Sequence, residues 1–237
     1  MTNARTTRER AAAMRRQEQA KAKRRQKLVV GGVIGGIALV VVAIVLIVIF
    51  AGGSSKKTGP IALPAGVSGN SGPIVVGTGP AKLDVYEDFQ CPSCGAFHKA
   101  SGPTIAELQS SGKVTTNYHL VSFLGPESVR AANAAGCAQD QGKFMPFSNY
   151  LYDHQPAEHT GGYTSDDLIR SGEAVGITNP AFNQCVTSMK YQDWVTNVNS
   201  AAFDNGTITG TPTVFVNGKK IDNLTSENIK QAVNSAG

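Results

Sequence analysis

The chain has 237 residues, 41% of them hydrophobic, with 22 Lys and Arg against 17 Asp and Glu and a formal charge of +5. Ten of the cations fall in the first 27 residues, so residues 28–237 carry 12 basic and 15 acidic groups. A mildly acidic body argues against nucleic acid as a partner.

Residues 1–27 form a basic segment with no apolar run, and Leu28 to Ala51 carry no charge at all. At 1.5 Å rise per residue this stretch makes roughly 36 Å of helix, enough to cross a ~30 Å hydrocarbon core with some tilt. The composition predicts one N-terminal transmembrane helix at 28–51. The cations before it put residues 1–27 in the cytoplasm and everything from residue 52 outside, a single-pass protein of the cell membrane. The rival reading is a cleaved signal peptide. Its apolar region normally runs only ~7–15 residues, although Ala51-Gly52-Gly53 offers small residues for a cut. Residues 52–72 are rich in Gly, Ser and Pro and read as a flexible linker. Residues 73–237 suit a single domain.

Within that domain, Lys82 to Phe89 places Leu83, Val85 and Phe89 on one face and reads as a strand. The same alternation puts Glu87 on the buried face, where it could exchange a proton with a neighbouring thiol. Asp88 falls on the opposite, solvated face. Pro92 opens a helix that runs to about Ser110, with a kink expected at Gly102-Pro103. Val114 to Phe123 is a second β-rich run, and from about 126 to 205 the signals are helical. Thr164-Ser165-Asp166-Asp167 caps one helix there and Asn179-Pro180 starts another. Thr213 to Val216 is a strand, Asn217-Gly218 a hairpin turn and Lys219 to Ile221 the return strand. A last helix starts at Thr225, with Leu224 and Ile229 placed as a hydrophobic staple. The order β-α-β, about 80 helical residues, then β-β-α predicts an α/β domain of thioredoxin type with an inserted helical subdomain.

The chemistry concentrates in Cys91-Pro92-Ser93-Cys94. All four cysteines, including Cys137 and Cys185, lie beyond the uncharged span; an even count in an oxidising compartment points to disulfides, with three pairings open. A thiolate at the first turn of a helix faces unsatisfied N–H groups and the positive end of the helix dipole, which lowers its pKa. Cys91 is then the exposed attacking sulfur and Cys94, one turn deeper, the buried resolving one. Pro92 suits a first turn because its missing N–H would have no partner there. A zinc site wants four ligands and only one C-x₂-C pair is present; His98 fits a third position by spacing alone. A short structural disulfide would remove little unfolded-state entropy. His98, His119, His154 and His159 show no partner pattern and read as surface or ordinary core residues.

The CPSC at a strand-to-helix junction, followed about 120 residues later by Gly210-Thr211-Pro212-Thr213-Val214-Phe215-Val216-Asn217-Gly218, resembles the DsbA-like family of extracytoplasmic thiol:disulfide oxidoreductases. The resemblance spans roughly residues 74–237 and implies a thioredoxin fold with a helical insert. It implies a cis Thr211–Pro212 bond lying against the CPSC, with Thr211 able to pair with an extended substrate. It also implies a second, structural disulfide between Cys137 and Cys185. The implied activity is donation of disulfides to reduced exported proteins, without a cofactor of its own, with reoxidation by a membrane quinone-linked oxidase of the DsbB or VKOR type. A reductase or isomerase with the same residues, and a non-redox binding module, remain alternatives. The chain departs from the family's pattern in two places. Family members often carry the buried acid nearer Val85 than Glu87, and Ser93 replaces the His that some members place between the cysteines.

Overall fold

The computed structural model describes residues 60–236. The basic segment, the span at 28–51 and the first part of the linker lie outside the described residues. Among the described residues no helix is long and apolar enough to cross a membrane.

Five strands form one sheet in the order β1-β3-β2-β4-β5. Its centre is β2 (Ala81–Glu87), whose alternate residues Ala81, Leu83, Val85 and Glu87 are all buried. Here β2 runs parallel to β3 (Val114–Leu120) across seven residue pairs and antiparallel to β4 (Thr213–Val216). The parallel partner requires a crossover, supplied by α1 (Pro92–Ser110). That helix continues through Gly102-Pro103 rather than ending there. Outer strands are β1 (Ile74–Val76), antiparallel to β3, and β5 (Lys219–Lys220), joined to β4 by the Asn217-Gly218 turn. Both turn residues have positive φ, 45° and 78°, as a two-residue hairpin of this hand demands. The Asn217 side chain also accepts from Lys82 N–H at 2.8 Å and donates to Ala236 O at 3.1 Å, pinning the hairpin to β2 and to the chain end.

The last helix, α7 (Ser226–Ala236), packs beside α1. Thr225 caps it through Asn228 N–H at 3.3 Å, Ile229 is fully buried and Leu224 packs on the core, as the staple predicts. Ser101 Oγ donates to Leu224 O and Ser226 Oγ to Ala100 O, tying the two helices together.

Between β3 and β4 lies the helical insertion: α2 (Pro126–Asp140), α3 (Phe144–Asp153), α4 (Ser165–Ala174), α5 (Pro180–Thr187) and α6 (Gln192–Phe203). Its hub is α2, whose Ala131, Ala132, Ala134, Ala135 and Ala138 are buried. Gly136 lets neighbours come closer still. A methyl group there would meet Pro64 and Tyr191 at 3.0 Å and Trp194 at 3.3 Å. Thr164 and Asp167 form the predicted capping box of α4, and the Asn179 side chain caps α5 through Ala181 N–H. Cys137 on α2 and Cys185 on α5 are joined by a disulfide.

Two expectations need correction. The alternation reading contained no β1, a strand of three residues between turns, too short to show a period. The flexible linker read at 52–72 does not extend through its described part. Ile61, Leu63 and Val67 pack on the core and Pro64 is buried. Ala65 N–H donates to Asp140 at 2.9 Å, Gln139 donates back to Ala65 O, and the Trp194 indole donates to Gly72 O at 2.9 Å. The Gly/Ser/Pro count outweighed four apolar side chains that the insertion provides a place to bury.

Candidate active site

Strand β2 ends at Glu87 and α1 begins at Pro92, so Asp88 to Cys91 must turn the chain. They do so through Cys91 N–H to Asp88 O at 3.0 Å. Once the chain leaves the strand, alternation no longer governs exposure, and Asp88 corrects the sequence reading: it is fully buried, not solvated. Its carboxylate accepts from Ser128 Oγ at 2.6 Å, Gln90 N–H at 2.9 Å and Leu124 N–H at 3.2 Å. Burial raises the Asp88 pKa, opposed by those hydrogen bonds.

Cys91 occupies the N-cap of α1, and its carbonyl accepts from the N–H groups of Cys94 at 3.0 Å and Gly95 at 3.1 Å. Pro92 is the first helical residue; both it and Ser93 are exposed. Cys94 is fully buried, as expected. Cys91 is less open than expected, at 8% exposure, because the segment before β4 lies over it. That segment contains the cis Thr211–Pro212 bond, and the Cys91 thiol lies 3.5 Å from Thr211 O. The two sulfurs are unbonded thiols here.

The environment splits the two thiols. Cys91 is lowered to about 5, chiefly because the Cys94 thiol donates a hydrogen bond to its sulfur; burial opposes this. Thr211 lowers it further, as do the N–H groups of Cys94 and Ser93. Ser93 therefore contributes through its backbone rather than its hydroxyl. Cys94 moves the other way, well above the usual thiol range, first by burial and then because it shares its proton with Cys91. Alkylation of the reduced protein by iodoacetamide should accordingly rise with pH through about 5 at Cys91. An unperturbed thiol would titrate near ~8.5. Because the folded value is the lower one, the reduced protein holds the associated stability fully above the unfolded pKa and loses it as pH falls through about 5. Thiolate absorbance and melting of the reduced form across pH check both statements; an alkylation midpoint near the ordinary thiol value would contradict them.

Several residues that brace this loop were invisible to the sequence reading. The Gln155 amide, just beyond α3, donates to Phe89 O at 2.7 Å and Cys91 O at 2.9 Å. Tyr163 OH donates to Phe89 O at 3.2 Å. Gln90 donates to Ser128 Oγ and Leu124 O, and accepts from His159 N–H. The only local trace is Gly95, where a methyl group would sit 2.4 Å from Gln155 Oε1. Glu87 lies on the Leu83/Val85 face as expected, fully buried, and close enough that its charge helps raise the Cys94 thiol. Among the described residues no cluster of three or more His, Cys, Asp or Glu is arranged to hold a metal.

Residues 70–235 match the family model described as thioredoxin. The structure superimposes on the reduced form of DsbG, a disulfide bond oxidoreductase of Mycobacterium tuberculosis, with a TM-score of 0.59 and 30% identity. That match covers 72% of this chain and 85% of that one. Oxidised DsbA of the same organism gives a TM-score of 0.61 at 30% identity, covering 69% of this chain and 92% of the other. A Rickettsia typhi relative named as a protein-disulfide oxidoreductase is 28% identical over 168 residues, 69% of this chain but 61% of its own length. The chain thus spans less than two thirds of the length of such curated relatives. It belongs to the thioredoxin family and, within that family, to the DsbA-like thiol:disulfide oxidoreductases.

Proposed function

We propose that the chain is an extracytoplasmic protein-disulfide oxidoreductase that donates the Cys91–Cys94 disulfide to reduced exported proteins. The observation that carries this reading is the divergence of the two thiols under Thr211–Pro212: an acidified Cys91 beside a buried, protonated Cys94. An acidic thiol is both a good leaving group and a stable product of reduction, so its disulfide is an oxidant.

In the donating direction a substrate thiolate attacks Cys91 Sγ. The Cys91–Cys94 bond breaks, its electron pair goes to Cys94, and Cys94 takes up a proton. A second substrate thiolate then attacks the substrate sulfur of the mixed disulfide, leaving an oxidised substrate, a Cys91 thiolate and a Cys94 thiol. Thr211, at the edge of β4 and over Cys91, is suited to align an extended substrate. Pro212 shapes that edge, and Pro92 and Ser93 hold the start of α1. Reoxidation then falls to a membrane quinone-linked oxidase of the DsbB or VKOR type. The uncharged span at 28–51 serves as a single-pass anchor with residues 1–27 in the cytoplasm. A formed Cys137–Cys185 disulfide supports an oxidising location.

Equilibrium titration of the CPSC pair against reduced and oxidised glutathione tests the direction. The expected potential is well above the ~−270 mV of thioredoxin. A value at or below that figure would make the chain a reductase instead.

A further inference from the structure

Asp88 is a fully buried acid three residues ahead of Cys91, and thiol exchange as written does not use it. Two bonds fold the residues between them into one tight turn. Asp88 O accepts from Cys91 N–H at 3.0 Å, and Asp88 Oδ1 accepts from Gln90 N–H at 2.9 Å. The first is the closing bond of a β-turn, whose end Cα atoms stand less than ~7 Å apart. The second is an Asx-turn, in which the side chain folds back over its own loop. The carboxylate and the nucleophilic sulfur therefore belong to the two ends of the same four residues.

The other partners of Asp88 come from the insertion. Leu124 N–H donates to Oδ2 at 3.2 Å and Ser128 Oγ to Oδ1 at 2.6 Å. Ser128 accepts in turn from Gln90 Nε2 at 3.0 Å, so its own proton points to Asp88. Both carboxylate oxygens thus face donors, which suits the ionised form and leaves a carboxyl proton no acceptor. Leu124 and Ser128 flank the start of α2, a helix whose own N-cap residue makes no side-chain bond. Asp88 caps it from outside, and the N-terminal end of the helix supports the charge. Among the described residues Asp88 takes part in no ion pair. The charged groups packed around it turn elsewhere. Arg130 donates to the Gly162 and Tyr163 carbonyls, Glu127 lies beside Gly125, and His159 is exposed and joins the network through its N–H. Glu87 faces His98 Nε2 at 3.4 Å. Burial, and after it neighbouring charges that include Asp88, keep Tyr152 and Tyr163 protonated. That leaves Cys91 as the neighbour whose charge changes with redox state.

We propose that Asp88 is a positioning residue that tempers the oxidising strength of the CPSC pair, a fixed negative charge that α2 holds in the turn carrying the nucleophile. This rests on the reading of Cys91–Cys94 as the redox pair. Reduction of the disulfide by two thiolates RS⁻ yields R–S–S–R, a Cys91 thiolate and a Cys94 thiol, with one proton taken up at Cys94. The oxidised turn therefore holds one anion and the reduced turn two. Like charges disfavour the second, so Asp88 opposes reduction. It works against the larger influences on Cys91, which are the Cys94 thiol first and the N–H groups at the start of α1. The coupling is reciprocal. Burial raises the Asp88 pKa and the Cys91 thiolate adds to that rise, a contribution present in the reduced protein alone. Through this carboxylate the insertion takes part in setting the potential of a pair that lies outside it.

Carboxyl ¹³C NMR of the unaltered full-length protein, with Asp88 assigned through its backbone, tests this without any variant. Asp88 is expected to titrate at higher pH, and over a wider range, in the reduced form than in the oxidised one. Reduced Cys91→Ser, which has no thiolate in the turn, should titrate as the oxidised parent does. Equilibration with reduced and oxidised glutathione gives the second readout. Asp88→Asn keeps the Oδ1 acceptor for Ser128 and Gln90 but loses the charge. Its equilibrium constant should move at least about threefold toward the reduced pair, about 14 mV at ~29.6 mV per decade, with the alkylation midpoint of Cys91 below that of the parent. Ser128→Ala weakens the cap but keeps the charge, so it should melt lower without making the pair more oxidising. The same Asp88 titration curve in both redox forms, or a potential raised as much by Ser128→Ala as by Asp88→Asn, overturns the proposal alone. A parent pair that does not exchange with glutathione overturns the redox reading and the proposal with it.

Discussion

Cys91→Ser is expected to abolish disulfide transfer to a reduced peptide, a loss on the order of a thousandfold or more, as when an enzyme loses its nucleophile. Cys94→Ser is expected to do something different. Cys91 keeps its opening under Thr211 and a hydroxyl replaces the thiol that donates to it. Mixed with a peptide disulfide, this variant should form the Cys91 mixed disulfide and hold it, since nothing inside the protein resolves it. Cys94→Ala should hold it too but form it more slowly at pH 6, because the main cause of Cys91's acidity has gone. Mass spectrometry of the trapped species and alkylation rates against pH separate these outcomes. A parent chain that transfers no disulfide, and whose partner binding is unchanged in Cys91→Ser, would mean that the domain binds its partners without redox turnover.

The second large effect concerns stability. Cys137 and Cys185 are 48 residues apart, join α2 to α5, and are both buried. In the chain-entropy model, closing a loop of that length stabilises by about 4 kcal/mol. The Cys137→Ala/Cys185→Ala double variant should therefore melt roughly 8–16 °C lower, given about 2–4 °C per kcal/mol for a domain of this size. Its CPSC pair should titrate against glutathione as the parent does. Circular dichroism melting without reductant checks the first expectation. Transfer lost well below the melting transition would contradict a purely structural bridge and favour electron exchange between the two pairs.

What could be read from the sequence follows from which interactions are local. Alternation in β2 placed Glu87 inside, because a strand's period is two and Leu83 and Val85 mark its buried face. Caps announced α4, α5 and α7 because a cap acts within three residues of itself. The helix start at Pro92 and the turn at Asn217-Gly218 were legible for the same reason. Asp88 was misread because the period ends with the strand one residue earlier, and its partners Leu124 and Ser128 come from beyond β3. Gln155 and Tyr163 reach the loop from more than 60 residues away, and nothing in their own neighbourhoods distinguishes them. His98 looked ordinary because its partner lies on a different element. The cis Thr211–Pro212 bond was expected from resemblance rather than from residue chemistry, and the structure contains it.

The bracing of Phe89 and Cys91 by Gln155 and Tyr163 bears on how such a domain can diversify. The sheet supplies the junction at which the cysteines sit, but the carbonyls that set its shape are held by the insertion. Exchanging the insertion between relatives while keeping CPSC unchanged would therefore transplant a motif without its mould. The two stretches of chain, separate in sequence, work as one structural unit at this loop.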